Sequence, residues 1–149
     1  DQAQVADFIT RVEDDGGPID VLVNNASGFG TSDDEAGWQT GFEADLMGTV
    51  RASWKVAPWL AEQGSGSIVH VSSTAALEAP GSPPYSAIKA ALISHAKNLA
   101  ISLAARGVRV NTIAPGCKCF PYRFSRIFCT KTLRFRNSYH RFYFSNGSW

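Results

Sequence analysis

An α/β fold is predicted, a partial doubly wound parallel sheet with helices on both faces. Three observations predict it: short apolar runs at 19–23, 68–71 and 108–113, helical apolar periods between them, and Gly or Pro at most of the boundaries. Strands alternating with helices pair in parallel, and in such sheets the ligand lies beyond the carboxyl ends of the strands.

Val5, Phe8, Ile9 and Val12 recur at i, i+3, i+4 and i+7, the spacing of a helix with one buried face. Gly16-Gly17-Pro18 stops that helix. Ile19 to Val23 is a short apolar run, as expected of a strand covered on both faces. Its outer edge is expected to lack a partner. Asp33, Asp34 and Glu35 favour a helix N-terminus, and Trp38, Phe42, Leu46, Val50 and Trp54 continue as a long stripe ending near Pro58. Gly64-Ser65-Gly66 turns the chain into the strand Ile68 to Val71. Ser82 is placed to cap the next helix, with Pro83 at its first position. That Ala-rich helix runs to Ala105 and stops at Arg106-Gly107, before the strand Val108 to Ile113. Asn24, Ser73 and Pro115-Gly116 stand at three strand ends, so the topology gathers them at one crevice.

The charge is divided unevenly. Residues 1–116 hold all 13 acids and 7 of the 14 Lys and Arg, a balance of −6; residues 117–149 carry the other 7 bases and no acid. Cys117, Cys119 and Cys129 and 10 of the 17 aromatics also fall in that last segment. The break marks two regions: 1–116, which holds the alternating helices and strands, and 117–149, a basic aromatic tail expected to be poorly ordered. No run approaches 18 apolar residues, which excludes a membrane-spanning helix. Asp1-Gln2-Ala3-Gln4 lacks the basic start and apolar centre of a secretory signal, so a cytoplasmic location is expected.

Tyr85 and Lys89 stand four apart at the start of a helix, on one face, with Ser73 a short loop upstream at a strand end. An ammonium beside a phenol favours the phenolate, and a phenol so tuned can act as acid or base near neutrality. Alone, this pair describes many helices.

Its neighbours sharpen it. Val21-Leu22-Val23-Asn24-Asn25-Ala26-Ser27, Gly66-Ser67-Ile68-Val69-His70-Val71-Ser72-Ser73, Tyr85-Ser86-Ala87-Ile88-Lys89-Ala90-Ala91 and Arg109-Val110-Asn111-Thr112-Ile113-Ala114-Pro115-Gly116 occur in order. With these four motifs in register, residues 1–116 resemble the later part of the short-chain dehydrogenase/reductase family. The resemblance implies a Rossmann-like fold and interconversion of an alcohol and a ketone with NAD or NADP. It implies Tyr85 as acid/base, Lys89 as its tuner and holder of the nicotinamide ribose, and Ser73 as donor to the carbonyl oxygen, with Ser72 as rival. Asn24, Ala26, Tyr85, Lys89, Pro115 and Gly116 become the cofactor-lining positions, while Asn25 is expected to tie strands together. Two positions depart from the family: Ser27 where the motif usually ends in Gly, and Asp45 where the long helix carries an Asn that holds a water of the proton relay. Relatives commonly pack the long helix and the Tyr-bearing helix against a second subunit, which points to homo-oligomers and to Trp54, Trp59 and Leu92.

His70 and His95 are read as structural or surface histidines. Asn25-Ala26-Ser27 and Asn146-Gly147-Ser148 fit the glycosylation pattern, without a secretory signal to support it. The spacing of Cys117, Cys119, Cys129 and His140 matches no common zinc pattern, and no metal is expected. Basic residues interleaved with aromatics can grip single-stranded nucleic acid or an anionic membrane. The preferred reading makes the tail an unrelated continuation, with no nucleic-acid or membrane partner. A non-catalytic fragment acting through subunit association is the other alternative. The family's glycine-rich pyrophosphate turn does not occur in the sequence, and Gly28-Phe29-Gly30 is too short to replace it. The chain as written is therefore expected to bind dinucleotide poorly.

Overall fold

The computed structural model describes residues 2–16, 18–78, 81–116 and 131–134. Helix α1 (Gln2–Gly16) leads into strand β1 (Val21–Asn24). Helix α2 (Glu35–Gly41) passes through a π-helical stretch, Phe42–Met47, into α3 (Gly48–Gln63) with helical backbone at both junctions. Strand β2 (Gly66–Val71), a 3-10 turn at Thr74–Ala76, α4 (Pro83–Leu103), a second 3-10 turn at Ala104–Arg106 and β3 (Val108–Ala114) follow. Asp34 caps α2 by accepting from Gly37 N at 2.8 Å, as its acid-rich start suggested.

The sheet runs β1-β2-β3-β4, where β4 is Lys131–Arg134. The first three strands are parallel, with Asn24 opposite His70 and His70 opposite Thr112. β4 lies antiparallel to β3, pairing Lys131 with Ala114 and Arg134 with Asn111. The tail's irregular pattern did not suggest this strand; the backbone edge of β3, which would otherwise be unpaired, accommodates it. The cysteines, His140 and the second glycosylation pattern lie outside the described residues.

Ile9, Val56, Ala57, Leu60, Ile68, Ala96, Val108 and Val110 form the core between the sheet and α1, α3 and α4. Successive parallel strands joined by right-handed crossovers place their connecting helices on the same face. Of the two helical layers expected, the described residues supply this one. The opposite face carries Val21 and Val23, both more than half exposed. β1 is accordingly covered on one face, not both. Only part of the α1 stripe is buried too: Ile9 is in the core, while Phe8 and Val12 are exposed and line an open groove of about 310 Å³ with Pro18, Ile19, Val21 and Leu22.

The long helix buries a different stripe from the one its aromatics suggested. Thr49, Ser53, Val56, Ala57 and Leu60 face inward, whereas Trp38, Phe42 and Trp54 are exposed. Small residues at 49, 53 and 57 allow close approach to the sheet, and the π-helical stretch shifts the helix phase ahead of them. Leu92, offered above for a subunit contact, is fully buried in the chain's own core. Among the described residues no helix is long and apolar enough to cross a membrane.

Candidate active site

The tips of β1 and β2, the π-helical stretch and the first turns of α4 converge on Lys89. Pro83 opens α4, but Ser82 caps it through backbone position alone; its hydroxyl donates to Thr31 O, across the site. Tyr85 is half-buried one turn before Lys89, whose Nζ lies 5.5 Å from the phenol ring centroid. Lys89 is almost wholly buried and donates to Asp45 Oδ2 at 3.0 Å and to Val71 O at 3.3 Å. An ammonium has three N–H donors, so one remains for a ligand hydroxyl.

Asp45 projects inward from the π-helical stretch and is 1% exposed. Besides Lys89 it accepts from Ser27 Oγ at 2.6 Å and from Gly28 N at 2.7 Å. A buried ion pair is tolerable only when further hydrogen bonds satisfy both charges, and here they do. The cation that the sequence places beside Tyr85 is therefore balanced by a carboxylate. The two departures noted in the sequence, Ser27 and Asp45, are hydrogen-bonded to each other.

The two serines at the end of β2 are unlike. Ser72 is buried and its hydroxyl proton goes to Lys89 O at 2.7 Å. Ser73 is half-buried, and its oxygen accepts from Ala75 N at 3.2 Å, which leaves its own proton for an outside acceptor. Thr74 N donates to Pro115 O at 3.0 Å, fastening this turn to the end of β3, where Pro115 is exposed and Gly116 half-buried.

At the tip of β1 it is the first of the paired asparagines, not the second, that lies between strands. Asn24 is buried and ties strands together, its amide nitrogen 3.2 Å from His70 Nδ1 and 3.4 Å from Ser53 Oγ. Asn25 and Ala26 are exposed. The reason is register: Asn24, the last residue of β1, sits opposite His70 on the covered face, and the strand ends before Asn25.

His70 is fully buried, with Nε2 3.0 Å from His95 Nδ1 and the two rings edge to edge, their planes 8° apart and centroids 5.2 Å apart. An amide NH₂ only donates, so Nδ1 of His70 accepts and Nε2 carries the proton toward His95. Burial, followed by the neighbouring His95, lowers the His70 pKa to about 4 against a smaller opposing effect of a backbone hydrogen bond with Val69. Burial lowers His95 as well.

Phe29 has no counterpart in the sequence reading. Its φ of 50° is a left-handed conformation that costs a bulky residue about 1–2 kcal/mol. Its ring stacks on Tyr85, centroids 6.4 Å apart and planes 10° apart. The flanking Gly28 and Gly30 hinted at an unusual turn but not at what it presents. Among the described residues no group of three or more His, Cys, Asp or Glu is placed to hold a metal.

A family profile described as short chain dehydrogenase matches residues 1–119. The chain belongs to this short-chain dehydrogenase family. Nodulation protein G of Azospirillum brasilense is 37% identical over 126 residues, covering 77% of the chain and 51% of the relative. Among solved structures, ElxO with NADP bound superposes at TM-score 0.72 with 30% identity, over 78% of this chain and 49% of that one. NAD+-bound xylitol dehydrogenase gives 0.74 and 27%, over 78% and 47%. The chain spans about half the length of these relatives.

Proposed function

We propose that this chain carries the proton-handling part of an NAD(P)-dependent oxidoreductase that interconverts an alcohol and a ketone. The arrangement of Lys89, buried against Tyr85 with one N–H to spare, carries the reading. Tyr85 gives a proton to the carbonyl oxygen in reduction and takes it back in oxidation. Ser73 donates its hydroxyl proton to the same oxygen and stabilises the charge that develops there. The spare N–H of Lys89 and the Tyr85 phenol are donors of the kind a ribose diol accepts, and Asp45 holds Lys89 in place. Ala26, Pro115 and Gly116, with the strand tip held by Asn24, form the rim of the crevice. When bound, the nicotinamide supplies or receives the hydride at the carbonyl carbon.

The described residues include no glycine-rich turn between a strand and a helix to hold a pyrophosphate, so binding by the chain alone should be weak. Titration with NADH and with NADPH, followed by their fluorescence, is expected to show no saturation; saturable binding would refute the impairment. The function itself is tested in a chimera in which residues 1–116 replace the matching segment of ElxO. The chimera should oxidise NADPH with a small ketone, and Tyr85→Phe should lower turnover by roughly 10²–10⁴-fold. A chimera indifferent to Tyr85→Phe would rule out Tyr85 as the acid.

A further inference from the structure

One carboxylate joins the groups that surround Tyr85. Asp45 Oδ2 accepts from Lys89 at 3.0 Å and from Ser27 Oγ at 2.6 Å, while Oδ1 accepts from Gly28 N at 2.7 Å. Ser27 Oγ also accepts from Phe29 N at 3.3 Å. Phe29 then leaves the loop in its left-handed conformation and lays its ring on Tyr85. Lys89 approaches the same ring from within α4. Both the cation beside the phenol and the aromatic cover over it are thus fastened to one buried side chain.

We propose that Asp45 is a positioning residue that couples Lys89 to Phe29, so that the charge and the cover of Tyr85 shift together. A carboxylate this enclosed has no water to replace a lost partner, so a change in one of its bonds falls on the others. Phe29 needs such a grip, because its backbone conformation is unfavourable on its own and persists only where surrounding contacts impose it. The inference deepens the site proposed above and rests on it for its consequence: a ligand hydroxyl that draws on Lys89 also changes the cover of Tyr85.

The test uses the whole chain without cofactor. Lysines are reductively methylated with ¹³C-formaldehyde and a borane reductant and the Lys89 rate is measured, while Tyr85 ring protons are followed by NMR with Phe29→Ala as the uncovered reference. In Asp45→Asn, which keeps a hydrogen-bonding oxygen and loses the charge, Lys89 methylation should rise roughly tenfold, the factor that about 1.4 kcal/mol produces. The Tyr85 signals should move most of the way to the Phe29→Ala position. In Ser27→Ala, which cuts only the loop arm, they should move in the same direction and the Gly28 amide should exchange faster. His70 and His95 signals should stay in place in both variants, which separates loss of positioning from general loosening. An unchanged Lys89 rate in Asp45→Asn, or wild-type Tyr85 signals in Ser27→Ala, would overturn the coupling. If circular dichroism finds Asp45→Asn unfolded, the Ser27→Ala arm decides alone. Neither readout involves a dinucleotide, so this outcome is independent of the titration and of the chimera.

Discussion

At His70 a single ring joins three elements: Asn24 of β1 on one nitrogen and His95 of α4 on the other, from its own place in β2. Protonation would put a second N–H against the Asn24 amide, which has no lone pair to offer there. A histidine whose folded pKa is about 4 and unfolded pKa 6.5 contributes its full stability above pH 6.5. That contribution, roughly 3 kcal/mol, is lost as pH falls from 6.5 toward 4, because the unfolded chain binds the proton first. The half-buried His95, lowered too, acts in the same direction. Urea midpoints measured between pH 7 and pH 5 should therefore decline, and His70→Asn should flatten the decline. A decline of equal steepness in His70→Asn would assign it to other groups. Tyr85, Lys89 and Ser73 could be named as candidates from the sequence because residue type and spacing carry the chemistry. The choice of Ser73 over Ser72 became physical only with the hydrogen bonds, since neighbouring serines read alike until one spends its proton on Lys89 O.

At the level of elements, the ends are set by residues that admit few alternatives. Gly64 and Gly107 have nearly the same left-handed φ, 72° and 73°, yet differ in surroundings. A Cβ at Gly64 meets nothing within 4 Å, whereas one at Gly107 would lie 2.1 Å from Gly64 O. Gly64→Ala should cost only the backbone term, about 1–2 kcal/mol. Gly107→Ala should exceed it by more than about 1 kcal/mol, because the turn after α4 must move off the turn after α3. Equal losses in urea unfolding would show that the two turns part freely. Strand and helix positions were readable from apolar period and turn residues. The π-helical stretch was not: Phe42–Met47 reads as ordinary helix, and the wider backbone bonding, with Gly48 N donating to Glu43 O, distinguishes it.

At the scale of the whole molecule, the sheet face that the described residues leave open is the dominant physical feature. Val21 and Val23 are 57% and 56% exposed on an edge strand, beside a groove that Phe8 and Val12 leave unfilled. Apolar edges of this kind pair with other chains. Sedimentation should reveal concentration-dependent self-association, and the double substitution Val21→Lys, Val23→Lys should suppress it while shifting stability by no more than about 0.5 kcal/mol. Association that ignores these substitutions would point elsewhere, for instance to the exposed Trp54. The sequence by itself determined the α/β class, the three parallel strands and the catalytic candidates, because periodicity and motif spacing are local. Tertiary structure alone decided which sheet face is covered, which asparagine binds the strands and which partner Asp45 takes. Those depend on register and on groups distant in sequence brought to hydrogen-bonding distance, 3.0 to 3.4 Å here, and local pattern does not encode them.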